Sequence, residues 1–186
     1  TQAWDKARQK LEDEGASTST VEPIAETADS VGVFEDLIAK GNKVIYATAF
    51  GYQPFVQQVA TANPDVKFVV IGPWVQETER PTNVTAVSPD SWIARYALGA
   101  LAAKTTETKT LGFVAANPIP TVIASINAFE LGAQSVDPEV TTKVVFTGTW
   151  FDPPRATQAA QSLASSGADV IAQYEDSTGT LLGAEK

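Results

Sequence analysis

The 186-residue chain contains no cysteine and no histidine. This absence removes cysteine nucleophiles, metal sites built from Cys or His, and the side chain that most often serves as a general base. Disulfide bonds are excluded as well. A mechanism that uses carboxylates alone stays open, but the composition favours a binding protein over an enzyme. We expect neither a metal ion nor a cofactor.

Long apolar runs and phosphate-binding motifs are also missing. No stretch of about 18 apolar residues is present, so the sequence contains no candidate transmembrane helix. Neither G-x-G-x-x-G after a strand nor G-x-x-x-x-G-K-[ST] occurs. The chain opens in a polar, helix-like stretch rather than a signal peptide, and we expect any such peptide to lie outside it.

Positive charge is scarce. The chain has 13 basic and 22 acidic residues, which gives a formal net charge of -9. Binding to nucleic acid depends on clustered Lys and Arg that neutralise phosphates, and no basic stripe is present. We therefore expect no nucleic-acid partner and interpret the charge as a source of solubility.

Helical and strand periods alternate along most of the chain. This alternation predicts an α/β fold of βαβ units with parallel sheets. A boundary near residues 87 to 90 separates two halves of similar architecture. The main predicted strands are short apolar runs at 44–47, 67–71, 84–87, 111–115, 143–146 and 170–173.

Several local predictions follow from turn and cap signals. The Thr/Ser/Val stretch Ser17–Val21 is a candidate strand. Ser88 followed by Pro89 predicts a helix N-cap with proline at the first helical position. The predicted helix has an apolar face that includes Ile93 and Leu101. Asp152 before two prolines also predicts an N-cap. The chain opens in a helix and closes where another begins, so we expect it to be part of a longer protein.

Aromatic side chains are concentrated in the predicted loops at the strand ends. In open α/β sheets, ligands bind beyond the carboxyl ends of the strands. Three of the four tryptophans lie in such loops, and aromatic faces stack on flat ligands. The loop segments are Phe50-Gly51-Tyr52, Gly72-Pro73-Trp74, Ser88–Trp92, Trp150–Pro153 and Tyr174–Ser177.

Each of these residues also has a structural interpretation. An aromatic ring at a strand end commonly packs in the core. Asp90 and Asp176 stand where helix starts are expected and are alternatively caps. Trp74 lies in a polar loop and is a candidate surface lid.

The order and spacing of several motifs resemble one protein family. The sequence is similar to the basic membrane protein family of ABC-transporter solute-binding lipoproteins, in its purine- and nucleoside-binding branch, from about Thr1 to the end. The segments that carry this similarity are 41–45, 49–52, 63–68, 95–99, 126–136, 149–153 and 167–171.

The resemblance implies a type I periplasmic binding protein fold. Two Rossmann-like lobes with parallel sheets would close on a ligand. Residues 1–88 would form most of the N-terminal lobe without its first strand, and residues 89–186 most of the C-terminal lobe without its last strands.

The resemblance also implies a set of ligand contacts. Phe50 and Tyr52, with Gly51 between them, would line the first lobe. Trp150 would stack from the second lobe and Asp176 would make a polar contact. At the position of Trp92, members of the family differ in residue type. The family further implies an ABC permease as partner, an extracytoplasmic location and a lipid anchor outside this chain, and we expect a monomer.

Three functions are compatible with the sequence. The first is capture of a purine base or nucleoside for an importer by hinge closure. The second is a Rossmann-like hydrolase of nucleosides or sugars, which would need paired carboxylates such as Asp90 and Asp176. The third is a ligand-sensing receptor domain of the same fold.

Overall fold

A computed structural model describes the backbone of residues 2–185 and the side chains of residues 4–185. The chain divides into two units, Thr1–Pro89 and Asp90–Lys186. Each unit has its own three-stranded parallel sheet and its own hydrophobic core. The predicted α/β class with two parallel sheets is therefore confirmed.

The sheet of the first unit has the strand order β1-β2-β3. Its register pairs Val44 with Lys67 and Phe68 with Val84. An α-helix, Gln53–Ala62, connects the first two strands, whereas the second and third are joined by a loop that contains a short 3-10 turn, Glu77–Glu79. The elements in chain order are α1 (Gln2–Asp13), α2 (Ser30–Ala39), β1 (Val44–Ala47), α3 (Gln53–Ala62), β2 (Lys67–Ile71) and β3 (Val84–Val87).

The core of this unit lies on one face of its sheet. Phe68 and Val56 are buried there, and the ring of Phe34 meets Phe68 edge-on with centroids 6.4 Å apart. Asn83 is buried beneath the start of β3, and its side-chain amide donates to the carbonyl oxygens of Ala60, Asn63 and Val66. These bonds tie the end of α3 and the segment before β2 to the start of β3.

The sheet of the second unit has the order β5-β4-β6. The central strand is buried from Leu111 to Ala115, because helices cover both of its faces. The elements in chain order are α4 (Ser91–Thr105), β4 (Thr110–Ala115), α5 (Pro120–Gln134), β5 (Thr141–Phe146), α6 (Pro153–Ser165), β6 (Val170–Tyr174) and α7 (Gly179–Ala184).

Two glycines bring α4 and α5 into backbone contact. A Cβ atom at Gly99 would lie 1.9 Å from the carbonyl oxygen of Phe129, and one at Gly132 would lie 1.9 Å from that of Tyr96. Any side chain at either position would force the helices apart. This reciprocal contact is the reason that both residues are glycine.

The cap at the start of α6 is confirmed. The backbone N–H of Arg155 donates to Oδ1 of Asp152 over 3.0 Å, with Pro153 in the first turn of the helix. Asp152 thus satisfies one of the N–H groups that a helix start leaves unpaired.

Two other local predictions are wrong. Residues 17–21 form no strand, because a strand needs a paired neighbour and this segment has none within residues 2–185. Helix α4 begins at Ser91 rather than directly after Ser88, and Asp90 takes the N-cap position without a side-chain bond.

The predicted apolar face of α4 is not its buried face. Ile93 and Leu101 are exposed at 56 % and 60 %, whereas Gly99 and Ala102 are buried. Small residues let α4 approach α5 closely, so its large apolar side chains point elsewhere. The sequence pattern identified the helix but not the side on which it packs.

Candidate ligand-binding site

Phe50 and Gly51 lie in a short 3-10 turn directly after β1, at the carboxyl end of the first sheet. Phe50 is partly exposed. The N–H of Gly51 donates to Oε2 of Glu26 over 2.7 Å. The aromatic face of Phe50 is therefore available to a ligand, while the Gly51 amide is already engaged by a carboxylate.

Tyr52 lies in the same turn but points into the core. Its side chain is 9 % exposed, its ring meets Phe34 edge-on at 5.8 Å, and its hydroxyl donates to the carbonyl oxygen of Ile24 over 2.7 Å. Burial, followed by the nearby charge of Glu26, raises the pKa of Tyr52. Tyr52 has a clear packing role, and its contact with a ligand stays a prediction.

An open cavity of about 360 Å³ adjoins Phe50 in the first unit. Trp74 closes one side of it and is 6 % exposed, so the prediction of a surface lid is wrong. The side chain of Gln53 holds the segment around Trp74 in place. Its amide nitrogen donates to the carbonyl oxygen of Pro73, and its amide oxygen accepts from the backbone N–H of Val75. The lining residues are Phe50, Gly51, Gln53, Pro54, Gln57, Trp74, Val75 and Gln76.

At the carboxyl end of the second sheet, the structure brings together two aromatic rings. Trp150 follows β5 and Tyr174 ends β6, with ring centroids 6.5 Å apart and planes inclined by 54°. Both rings are partly buried against the core. The bend before Trp150 depends on Gly148, whose φ of 73° is unfavourable for other residues.

Asp176 is held beside Trp150. Its backbone N–H donates to the carbonyl oxygen of Trp150 over 2.8 Å. Burial of the carboxyl, followed by the charge of Glu175, raises the pKa of Asp176. No described donor pairs with the Asp176 carboxylate, whereas that of Glu175 accepts from Ser177 and Thr180. The Asp176 carboxylate can therefore accept from a ligand, and the N-cap residue of α7 is Thr178 instead.

Trp92 and Arg95 lie in the first half of α4. The Trp92 side chain is 51 % exposed. The guanidinium of Arg95 lies 5.1 Å from the ring centroid of Tyr174 and 6.0 Å from that of Phe113. Burial lowers the pKa of Arg95. Sequence reasoning missed Arg95, although a basic residue one turn after Trp92 within an apolar helix was a visible signal.

The described residues contain no group of three or more Asp and Glu side chains arranged to hold a metal ion. Between residues 2 and 185, every helix is too short or too polar to cross a bilayer.

Comparison with known families gives one match over nearly the whole chain. The model of the Bmp family, described as ABC transporter substrate-binding protein PnrA-like, matches residues 1–184. The resemblance seen in the sequence motifs is therefore confirmed.

Two curated relatives differ in what their names say they bind. A purine-binding protein of Brucella abortus is 35 % identical over 97 % of this chain and 51 % of its own length. A Haloferax volcanii protein, provisionally named an ABC transporter glucose-binding protein, is 41 % identical over 94 % of this chain and 44 % of its own length. The chain thus spans about half the length of these relatives.

A solved structure supports the fold. The ABC transporter solute-binding protein of Aeropyrum pernix K1 matches with a TM-score of 0.83 and 21 % identity, over 96 % of this chain and 52 % of that one. At this identity the likeness speaks for the fold alone.

Proposed function

Because the chain belongs to the PnrA-like family of ABC transporter substrate-binding proteins, we propose that it captures a purine base or nucleoside and delivers it to an ATP-driven importer. The family consists of binding proteins rather than enzymes, so no bond needs to be made or broken. Membership implies an extracytoplasmic location.

The observation that carries the proposal is the aromatic pair at the end of the second sheet. Trp150 and Tyr174 offer ring faces, and Asp176 beside them offers an unpaired acceptor. A purine presents a flat face for stacking and N–H groups for a carboxylate. Aromatic stacking contributes about 0.5 to 1.5 kcal/mol beyond simple burial. The relative named as a purine-binding protein supports the same ligand class.

The first unit would supply further contacts. Phe50 has a partly accessible ring. The backbone N–H of Gly51 could donate to a ligand once Glu26 released it, and the buried ring of Tyr52 would support the turn. Trp92 would add a further exposed ring from α4. Ligand contacts to both lobes would stabilise a closed form, which is the general basis of hinge closure.

The partners follow from this role. We propose an ABC permease as the protein partner, a lipid anchor outside this chain as the membrane attachment, and a monomer as the working state. No cofactor, metal or nucleic acid is part of the proposal.

A sugar is the second candidate ligand. The relative with a glucose-binding name is 41 % identical to this chain. Sugars also stack on aromatic faces and exchange hydrogen bonds with carboxylates, so the geometry at Trp150 suits them nearly as well.

The test is replacement of Trp150 by alanine in the full-length protein. We expect hypoxanthine or adenosine to bind more weakly by at least ~1 kcal/mol, about fivefold, because a stacking face is lost. Isothermal titration calorimetry measures the change. Trp4→Ala is the matched control, because Trp4 is an exposed tryptophan of α1 and is not in contact with the ring of Trp150.

Unchanged affinity in Trp150→Ala would reject Trp150 as a stacking residue. Binding of glucose but of no purine by the unaltered protein would replace the proposed ligand class.

A further inference from the structure

One charged side chain near the aromatic pair has no partner of opposite charge among the described side chains of residues 4–185. Arg95 is partly buried in the first half of α4, and no carboxylate in residues 2–185 forms a salt bridge or hydrogen bond with it. Its neighbours are the rings of Tyr174 and Phe113. An arginine in such a place usually has an acidic partner, because a desolvated cation is costly.

The two rings only partly replace that partner. A guanidinium near an aromatic face is attracted by the ring electrons, and the attraction grows when water is excluded. The rings offer no in-plane acceptor, however, and the guanidinium carries five N–H donors in a fixed planar fork. The structure therefore holds Arg95 in place and leaves its hydrogen-bonding capacity largely unused.

Tyr174 links Arg95 to the candidate site. Its ring lies 5.1 Å from the guanidinium on one side and 6.5 Å from the ring of Trp150 on another. Asp176 is bonded to the backbone of Trp150. Arg95, Tyr174 and Trp150 thus form one series of contacts, and the backbone of Asp176 is bonded to its far end.

We propose that Arg95 is a ligand-binding residue that donates hydrogen bonds to the acceptor edge of the captured ligand. This inference rests on the proposed function and deepens it. The ligand would present ring nitrogens or a carbonyl to Arg95 and N–H or O–H groups to Asp176. Because arginine is always protonated and lacks an acceptor, Arg95 would pair only with an acceptor atom of the ligand.

A purely structural role for Arg95 makes a different prediction. If the side chain served only to pack α4 on the sheet, an apolar side chain of similar length would fill the same space. Affinity would then stay the same in Arg95→Met, whatever the change in stability. The two roles are separated by measuring both quantities on the same variants.

The experiment uses Arg95→Met, Arg95→Lys and the control Lys104→Met in the full-length protein. Lys104 is exposed in the last turn of the same helix, so its replacement removes one positive charge away from the rings. The melting temperature is measured without ligand, and affinity for hypoxanthine is measured by calorimetry.

We expect Arg95→Met to weaken binding at least about tenfold, because a charged donor to the ligand is lost. Its melting temperature should stay within a few degrees of the unaltered protein. Arg95→Lys should recover part of the loss, because it keeps the charge but not the planar fork. Lys104→Met should bind like the unaltered protein.

Unchanged affinity in Arg95→Met would overturn the proposal. Should that variant fail to fold, unchanged affinity in the folded Arg95→Lys protein would overturn it instead. If the unaltered protein binds glucose and no hypoxanthine, the purine proposal fails, and the same variants titrated with glucose decide the role of Arg95. Binding of neither compound would overturn both.

Discussion

Tyr52 and Trp150 both follow a strand, yet the two side chains have different surroundings. Tyr52 is buried against Phe34 and its hydroxyl is satisfied by Ile24. Trp150 is partly exposed and faces Tyr174. Position at a strand end therefore does not decide whether a ring binds ligand. What decides it is whether other parts of the chain cover the ring.

We expect Tyr52→Phe to lower the free energy of unfolding by about 1 kcal/mol, because the carbonyl of Ile24 loses its partly buried donor. Ligand affinity should not change, since the hydroxyl faces the core. Urea unfolding and calorimetry measure the two quantities. Tyr46→Phe is the control, because Tyr46 is 57 % exposed. A large loss of affinity in Tyr52→Phe would show that the hydroxyl serves the ligand.

At the scale of secondary-structure elements, Asp169 links the loop that precedes β6 to the loop that follows α4 in the second unit. It precedes β6, and its carboxylate accepts from the hydroxyl of Thr106 and from the N–H groups of Glu107 and Thr108, which follow α4. Burial alone would raise the pKa of Asp169. The hydrogen bonds outweigh it and lower this pKa from 3.8 to about 2. The carboxylate thus anchors the end of α4 beside β6.

This anchor predicts a dependence of stability on pH. A pKa that is lower in the folded state contributes stability that is present above about pH 4 and lost as pH falls toward 2. We expect Asp169→Asn to lower the free energy of unfolding by about 1 kcal/mol at pH 7, a low value because the group is exposed. The difference should shrink between pH 4 and 2 in urea titrations. Asp65→Asn, at another exposed position, is the control for the removal of one surface carboxylate.

The elements themselves were largely predictable from sequence, because periodicity and capping are local. The six main strands and the cap at Asp152 were predicted for this reason. The strand at 17–21 was wrong because pairing involves residues distant in the chain. The buried face of α4 was wrong because Gly99 and Gly132 pack through backbone, which a count of apolar side chains does not register.

The candidate site was only partly predictable. Trp150 and Asp176 were identified because both follow strands, and the structure brings them together. Tyr52 was placed in the ligand wall by the family resemblance, and its packing against Phe34 is a contact that the sequence does not show. Arg95 was missed because it is distinguished by its contact with the ring of Tyr174, a residue 79 positions later in the chain.

At the scale of the whole molecule, both units carry aromatic rings at the carboxyl ends of their parallel sheets. Phe50 does so in the first unit, and Trp150 and Tyr174 in the second. This position is where open α/β sheets bind ligands. The acidic surface, with a formal net charge of -9, makes a polyanionic partner unfavourable.

A ligand that binds only the folded protein should therefore raise its melting temperature. We expect a purine at 100 times its dissociation constant to stabilise the full-length protein by about 2.7 kcal/mol. Single-stranded DNA at the same concentration should have no effect. Differential scanning fluorimetry measures both. A shift with DNA equal to that with the purine would contradict selective capture of a small molecule.

The contact between Gly99 and Gly132 has a consequence for how α4 presents its first turns. Since each glycine abuts a carbonyl of the other helix, α4 can neither roll about its axis nor slide along α5 without a steric clash. The backbone positions of Trp92 and Arg95 are consequently fixed before any ligand arrives. Less conformational freedom of the protein is then lost when the complex forms, so a larger share of the contact energy is expressed as affinity.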